Sequence, residues 1–401
     1  MNKIFIAIAA YRDPELIPTI KSCLAKAKYP QNLTFGICWQ HDRSDKWDTL
    51  AAYKNDPRFR IIEKNAKESQ GACWARSLTQ TLYQNEQYTL QIDSHHRFVP
   101  NWDIKCIEML TKLQHTGYPK PIITAYVPPY DPKKEEERNM DLWLMAFDKF
   151  TPEGVVLFVP KLITERITEP ITSRFISGHF LFTLGQFQRE ILYDPDFYFH
   201  GEEISLSVRA FTSGYDLFHP HQIIVWHEYT RKARSKHWDD HPTWSLRDQK
   251  SFSRNRKLLN IDGQTPDPSE SDLLPGGKYG LGTVRSLADY ENYAGINFKT
   301  RSVEPVTVKA IVPTRFKLSS VCFSNIDYTL HLKSKPLPSH LFWAIIFEDR
   351  DGNQIYRKDL NCSELSSSIK CSLATSPSKW IIWPYSQQGW ENRLEWIIYS
   401  N

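Results

Sequence analysis

The sequence predicts a two-part chain: an α/β domain with a mostly parallel central sheet, followed by a small β-sandwich-like domain. Three observations predict it. The run Ile4–Ala10 is short and continuously apolar, as expected of a strand covered on both faces. Strand-like and helix-like stretches then alternate as far as Asp93, which is the rhythm of a parallel sheet with crossover helices. After about Thr300 the pattern changes to short β-type runs separated by turns.

The elements follow in order. Ile4–Ala10 is the first strand. Asp13-Pro14-Glu15 opens a helix with Leu16, Ile17, Ile20 and Leu24 at helical spacing and Pro14 in its first turn. Leu33–Gln40 is a second strand that ends at His41-Asp42, and Arg60–Glu63 is a third. Gly71–Tyr83 reads as a helix with Ala72, Ala75, Leu78 and Leu82 on one face, and Tyr88–Asp93 is a fourth strand. In such a sheet polar groups at the carboxyl ends of strands gather in one crevice, and Asp42 and Asp93 both lie at such ends. Further on, Ile122–Tyr126, Val155–Val159 and Phe175–Thr183 read as strands, and Glu203–Thr212 as a helix closed by Gly214. Ile223–Trp226 is a strand running into His227. Residues 231–256 are rich in charge, His and Trp, and suit a lid or irregular helical segment. Residues 265–282 are turn-rich. The tail offers β-runs at Val306–Val312, Phe316–Phe323, Tyr328–Leu332, Leu341–Glu348, Lys379–Pro384 and Glu395–Tyr399, with a hairpin turn at Asp351-Gly352. Residues 1–299 therefore form one domain, with a first part of about 120 residues and a second from about 121, and residues 300–401 form a β-rich accessory domain.

Composition excludes several classes. With 41% hydrophobic and 24% charged residues the 401-residue chain is ordinary globular material, neither disordered nor fibrous. A net charge of +4, spread along the chain, argues against nucleic acid as partner. It permits loose attraction to anionic lipid. No stretch approaches the roughly 18 apolar residues of a membrane span. The apolar run near Met1 is followed at once by Arg12 and Asp13, unlike a signal peptide. Seven scattered cysteines with no CxxC pair indicate neither a zinc ribbon nor a disulfide scaffold, so a reducing cytoplasm is expected.

Chemistry-bearing residues cluster at a few places. Asp93-Ser94-His95 follows an apolar strand, and period two puts Asp93 and His95 on one side. A carboxylate and an imidazole converging there can hold Mn²⁺ or Mg²⁺ against a leaving diphosphate, or simply form a hydrogen-bonded strand cap. His227 supplies a third ligand from the end of its own strand, although His219, His221, His237 and His241 lie nearby in sequence. Phe199-His200-Gly201-Glu202-Glu203 precedes an amphipathic helix; the two carboxylates suit the helix dipole, and Gly201 permits close backbone approach while Glu202 binds sugar hydroxyls. Ser177-Gly178-His179 offers a similar gap. Arg76, one turn beyond Gly71, can meet a phosphate.

Taken together, Asp93-Ser94-His95, the segment Phe199 to Arg209 and His227, in this order, resemble the GT-A glycosyltransferases that attach N-acetylhexosamine to polypeptides. The resemblance is to the polypeptide α-N-acetylglucosaminyltransferases, whose eukaryotic members act on hydroxyproline, and more distantly to the mucin-type GalNAc-transferases. It covers roughly Ile4 to Phe298, including Gly71–Arg76, Leu90–Phe98 and Tyr279–Phe298. It implies a Rossmann-like GT-A domain in which Asp93, His95 and His227 hold Mn²⁺ (or Mg²⁺) on a UDP-sugar. Ala10, Tyr11, Asp13 and Asp42 would line the uridine site with Arg76 nearby, and Ser94 and Arg231 would also bind the nucleotide sugar. Gly178 and the candidate catalytic residues His179, Glu202 and Glu203 would face donor sugar and acceptor. His200 and Glu203 replace Gly and Asn of the mucin-type motif, which favours UDP-GlcNAc over UDP-GalNAc. A mucin-type lectin domain is absent.

The expected activity is metal-dependent transfer of GlcNAc from UDP-GlcNAc to a hydroxyl, with retention and an acceptor on a protein. A GlcNAc-transferase of surface polysaccharide or glycan assembly is the alternative. A metallophosphoesterase is a reading from another class, since Asp-x-His-His also occurs among metal-clustering hydrolases. A sugar-binding role for the tail would rest on Trp380, Trp383, Trp390 and Trp396.

Overall fold

A computed structural model describes residues 2–47, 49–134, 136–230, 234–314, 326–331, 336–348, 354–365, 368–373 and 377–397. The chain divides into two compact units, Met1–Phe316 and Lys317–Asn401.

The first unit is built on strands β1 (Ile4–Tyr11), β2 (Leu33–His41), β3 (Phe59–Asn65) and β4 (Tyr88–Asp93), with helices α1 (Leu16–Lys26), α2 (Ala72–Gln80) and α3 (Trp102–His115), and a short strand β5 (His96–Phe98) after β4. Then come β6 (Pro121–Thr124), β7 (Trp143–Phe150), β8 (Val156–Leu162), β9 (Ile171–Thr172), β10 (Phe180–Leu184), α4 (Phe187–Glu190), α5 (Glu202–Thr212), β11 (Asp216–His219), β12 (Val225–His227), α6 (His237–Asp240), α7 (Trp244–Leu258) and α8 (Leu287–Ala294). The central sheet has eight strands in the order β3-β2-β1-β4-β10-β6-β11-β9. β1 runs parallel to β2 and β4, β2 to β3, and β6 to β11, whereas β10 and β9 run against their neighbours. The α/β class and the mostly parallel sheet are thus as the periodicity predicts.

Alternation along the central strands decides what each face of the sheet does. Ile4, Ile6 and Ile8 of β1 and Tyr88, Leu90 and Ile92 of β4 enter one buried cluster with Leu16 and Ile20 of α1 and Trp102 and Leu110 of α3. The opposite face carries Phe5, Ala7 and Ala9, in register with Thr89, Gln91 and Asp93. That face is polar towards its carboxyl end, and the two alanines leave room there. Gly36 is forced by the same face: a Cβ would lie 2.2 Å from the Phe5 ring.

Several expectations change. The strand expected over Phe175–Thr183 is confined to Phe180–Leu184, because Ser173 and Ser177 hydroxyls engage the backbone and side chains of residues 173–179 instead of a ladder. Val306–Val312 is not a strand: Pro305 starts a single helical turn over Pro305–Val308. Residues 244–258 form a regular helix where an irregular one was expected. The expected run Phe316–Phe323 and the turn at Asp351-Gly352 lie outside the described residues.

In the second unit, His340–Glu348 pairs antiparallel with Gln354–Asn361 and Lys379–Ser386, and the last also with Gly389–Trp390 and Leu394–Ile397. Ile326–His331 pairs with Ser368–Leu373. Leu330, Ile369 and Cys371 share a core with Trp343, Ile345, Phe347 and Ile382, so both sheets contribute to one interior. Among the described residues, no helix is long and apolar enough to cross a membrane.

Candidate active site

Asp93 ends β4 on its polar face. Ser94 and His95 then form a bend, and β5 starts at His96. Asp93 and His95 therefore meet through this bend and not through strand alternation. β12 pairs antiparallel with β5 in the register His227↔His96, which brings His227 across to the same bend. The pairing accounts for why His227 and not one of its neighbours in sequence reaches Asp93. His227 Nε2 stands 3.4 Å and His95 Nε2 3.6 Å from Asp93 Oδ2. One candidate ligand atom from each of the three residues lies within 4.8 Å of the others.

The surrounding groups orient these three. Asp13 is buried, and its Oδ2 accepts from the Ser94 hydroxyl at 2.6 Å and from His95 Nδ1 at 2.7 Å. A carboxylate on Nδ1 turns Nε2 of the same imidazole outward as a lone pair. Burial alone would raise the Asp13 carboxyl, but the His95 and Arg234 contacts hold it well below the usual range. Arg234 also contacts Asp13 at 3.1 Å and lies against His95, 2.7 Å from Nε2. Asp93 is held well below its ordinary value: burial opposes this, but the His227 hydrogen bond and the Arg76 charge outweigh it. Burial drives His227 well down and His179 down to about 3, so both rings are neutral.

Arg76 reaches from α2 to the same place. Its Nη2 donates to Asp93 Oδ1 at 2.7 Å, and Nη1 pairs with Glu202 at the start of α5. Gly178 makes this approach feasible, since a Cβ there would lie 2.9 Å from Arg76 Nη1 and 3.1 Å from Glu202 Oε1. Glu203 Oε1 accepts from the Gly178 N–H at 2.9 Å and Oε2 from the Tyr126 hydroxyl at 2.7 Å. Burial nevertheless pushes the Glu203 carboxyl up to about 7. Glu202 is likewise raised, by burial first, against the lowering charge of Arg76. His179 sits behind His227, ring centroids 4.4 Å apart, with Nδ1 on Ser177 and Nε2 near Val127 N–H and the Tyr229 hydroxyl. It offers the site a ring face and not a free nitrogen.

Two cavities meet at this point. The larger, about 660 Å³, is walled by Trp143 of β7, Val156–Phe158 of β8, Tyr126, Glu202, Glu203 and Tyr229. The smaller, about 170 Å³, is lined by Ala9, Tyr11, Asp13, Gln40, Ser69, Tyr198 and Trp238. Arg76, Asp93, Phe199 and His227 line both. α6 packs at the smaller one: the Tyr11 hydroxyl donates to Asp240 at 2.6 Å, Arg12 Nη1 pairs with Asp240 at 2.9 Å, and Tyr198 contacts His237 at 2.8 Å.

Most residues singled out from the sequence are thus brought together. Tyr11, Asp13, Ser94, Arg76 and Asp93 line the smaller cavity, and Gly178, His179, Glu202 and Glu203 the larger. Two expectations are corrected. Ala10 points into the apolar core, because strand alternation gives the cavity Ala9 instead. Asp42 lies in the turn after β2, where its carboxylate accepts from the Ser44 N–H and hydroxyl, and it lines neither cavity. Gln40, two residues earlier, stands in the cavity. Arg231 lies outside the described residues. Nothing local in the sequence marks Gln40, Ser69, Tyr126, Tyr198 or Trp238 as site residues, and Arg234 lies inside the charged segment 231–256.

One carboxylate oxygen and two imidazole nitrogens form a donor set suited to a divalent transition-metal ion such as Mn²⁺. The Asp13–His95 contact supplies the outer partner that such a ligand needs. The residues present therefore fit a divalent cation.

A family model described as Glycosyltransferase (GlcNAc) matches residues 3–57 and 49–300. No curated protein matches the sequence. Among solved structures, GalNAc-T7 with UDP, GalNAc and Mn²⁺ is similar at 16% identity and a TM-score of 0.49, covering 72% of this chain. The match spans only about half of that protein, 54% of its chain. TarS 1-349 from S. aureus, in complex with UDP-GlcNAc, is similar at 11% identity and a TM-score of 0.42, covering 72% of each chain.

Proposed function

We propose, from the premise that this chain belongs to the GlcNAc glycosyltransferase family, that it moves GlcNAc from UDP-GlcNAc to a hydroxyl group, with retention, at a divalent-metal site of Asp93, His95 and His227. The observation that carries the reading is the position of those three side chains at the junction of two cavities. The smaller, flanked by Tyr11, Gln40 and Trp238, takes the uridine; the larger takes sugar and acceptor. A divalent cation held between them would neutralise the charge that gathers on the leaving diphosphate.

The protein's own groups then divide the work. Arg76 holds Asp93 ionised, and Asp13 fixes the His95 tautomer. Glu202 and Glu203 line the wall where the sugar hydroxyls would lie. In a front-face displacement the bond from the anomeric carbon to the diphosphate oxygen breaks. The acceptor oxygen bonds to the same face, and its proton passes to the leaving phosphate. No separate side-chain base is required.

The larger cavity also bears on the acceptor. Among the described residues, Arg76 is the only Lys or Arg that lines it, and it is already paired with Asp93 and Glu202. Carboxylates and aromatic rings suit a neutral or cationic acceptor better than a polyanionic polymer. This supports a protein hydroxyl. Cys23, Cys38, Cys73, Cys106 and Cys371 are buried free thiols, which supports a reducing compartment, the cytoplasm.

The test is UDP release with Mn²⁺ from UDP-GlcNAc, UDP-GalNAc, UDP-Glc and UDP-Gal, with and without EDTA. UDP-GlcNAc is expected to be turned over slowly without acceptor, and EDTA or Asp93→Ala to abolish turnover in a folded protein. Full activity in Asp93→Ala or His95→Ala would overturn the metal site; no turnover and no binding of any donor would overturn the reaction.

A further inference from the structure

His96 stands directly across the β5–β12 ladder from His227, their ring centroids 4.8 Å apart. It is 0% exposed. Its backbone N–H is taken by the Thr19 hydroxyl at 2.8 Å, and its Nδ1 donates to the Asp93 carbonyl at 3.0 Å. That second bond fixes the tautomer: Nδ1 carries the hydrogen, so Nε2 is a bare acceptor. Nε2 is buried and has no partner among the described residues. The same is true of His227 Nδ1. If His227 binds a cation through Nε2, which is the nitrogen facing Asp93, its Nδ1 must carry a hydrogen. A buried donor and a buried acceptor, each unpaired, thus lie on neighbouring rings. Leaving either unpaired is costly, and a single water with two such partners satisfies both.

We propose that His96 is a positioning residue for the metal site: its Nε2 takes up the Nδ1–H of His227 through one buried water, and so presents His227 Nε2 as a ligand. His95 has a carboxylate in this role, Asp13; His227 has a neutral imidazole. The inference rests on the metal site proposed above and adds its outer partner on the His227 side.

The experiment measures Mn²⁺ binding by calorimetry, and the visible spectrum of the Co²⁺ form, for wild type, His96→Leu and His96→Gln. Gln can place an acceptor oxygen near the position of Nε2, and Leu cannot. His96→Leu is expected to weaken Mn²⁺ binding about 10- to 100-fold and to alter the Co²⁺ spectrum, with His96→Gln recovering most of the affinity. Wild-type affinity and spectrum in His96→Leu would overturn the proposal, and so would an equal loss in both variants. No Mn²⁺ binding by the wild type would instead overturn the metal site itself. Should His96→Leu fail to fold, nitrogen NMR of the wild-type imidazoles with a diamagnetic divalent ion bound decides. Hydrogens on Nδ1 of both His96 and His227 support the pairing, and a hydrogen on Nε2 of either ring overturns it.

Discussion

Glu203 lies in the first turn of α5, where unpaired N–H groups favour a carboxylate. Its carboxyl is nevertheless pushed up to about 7, because burial outweighs the Gly178 N–H and the Tyr126 hydroxyl that favour the charged form. In the unfolded chain a glutamate titrates near about 4.3. Between these values the folded protein keeps a proton that the unfolded chain has released. The associated stability is therefore fully present below the unfolded value and is lost as pH rises through about 7. A shift of this size is worth at most about 4 kcal/mol. Glu203→Gln removes the titration while keeping a group that can hydrogen-bond. Urea midpoints measured near about pH 5 and about pH 8 should show the variant gaining on the wild type at the higher pH. Parallel midpoints for the two proteins would show that Glu203 titrates as an ordinary surface carboxylate.

At the scale of elements, α6 is hydrogen-bonded to the carboxyl end of β1 through Asp240, while the His237 ring packs on Tyr11. Asp240 accepts from the Tyr11 hydroxyl at 2.6 Å and from Arg12 Nη1 at 2.9 Å, and Arg12 in turn pairs with Asp45 at 2.7 Å. Asp240→Ala removes both bonds to α6 but leaves the sheet and the Asp93 cluster alone. Loss of about 1 kcal/mol of pre-ordering predicts roughly fivefold weaker UDP binding by calorimetry, with Mn²⁺ binding unchanged. Unaltered UDP affinity would remove α6 from the nucleotide site. This tie also shows where sequence reasoning stops. Asp93, His95 and His227 were legible because apolar runs end at them, and strand ends of an α/β sheet converge. The resemblance implied both Ala10 and Tyr11 for the uridine site, but period two puts these neighbours on opposite faces of β1, so Ala9 and Tyr11 stand in the cavity and Ala10 in the core. A strand end does not say whether its last side chain turns back on its own loop, as Asp42 does on Ser44. The β7–β8 hairpin, which walls the larger cavity, was half visible: Val155–Val159 read as a strand, while Trp143–Phe150 mixes apolar and charged residues without clean alternation. α3 escaped notice although its buried face carries Trp102, Cys106, Leu110 and Leu113.

For the whole molecule, the division into Met1–Phe316 and Lys317–Asn401 has a thermodynamic consequence. Each unit has its own buried cluster: Ile4, Phe35, Trp102 and their neighbours in the first, and Trp343, Ile345, Phe347 and Ile382 in the second. Separate cores are expected to unfold as separate cooperative transitions. Every proposed ligand of the cation and every residue lining the two cavities belongs to the first unit. A ligand that binds only the folded form stabilises it by about 2.7 kcal/mol at a concentration of about 100 times its Kd. Calorimetric scans of the full chain should therefore show Mn²⁺ with UDP raising one transition by several degrees and leaving the other in place. The same scans of His95→Ala should show no rise in either. A rise of both transitions together would mean that the β-rich unit unfolds with the catalytic one, or itself takes part in binding the nucleotide.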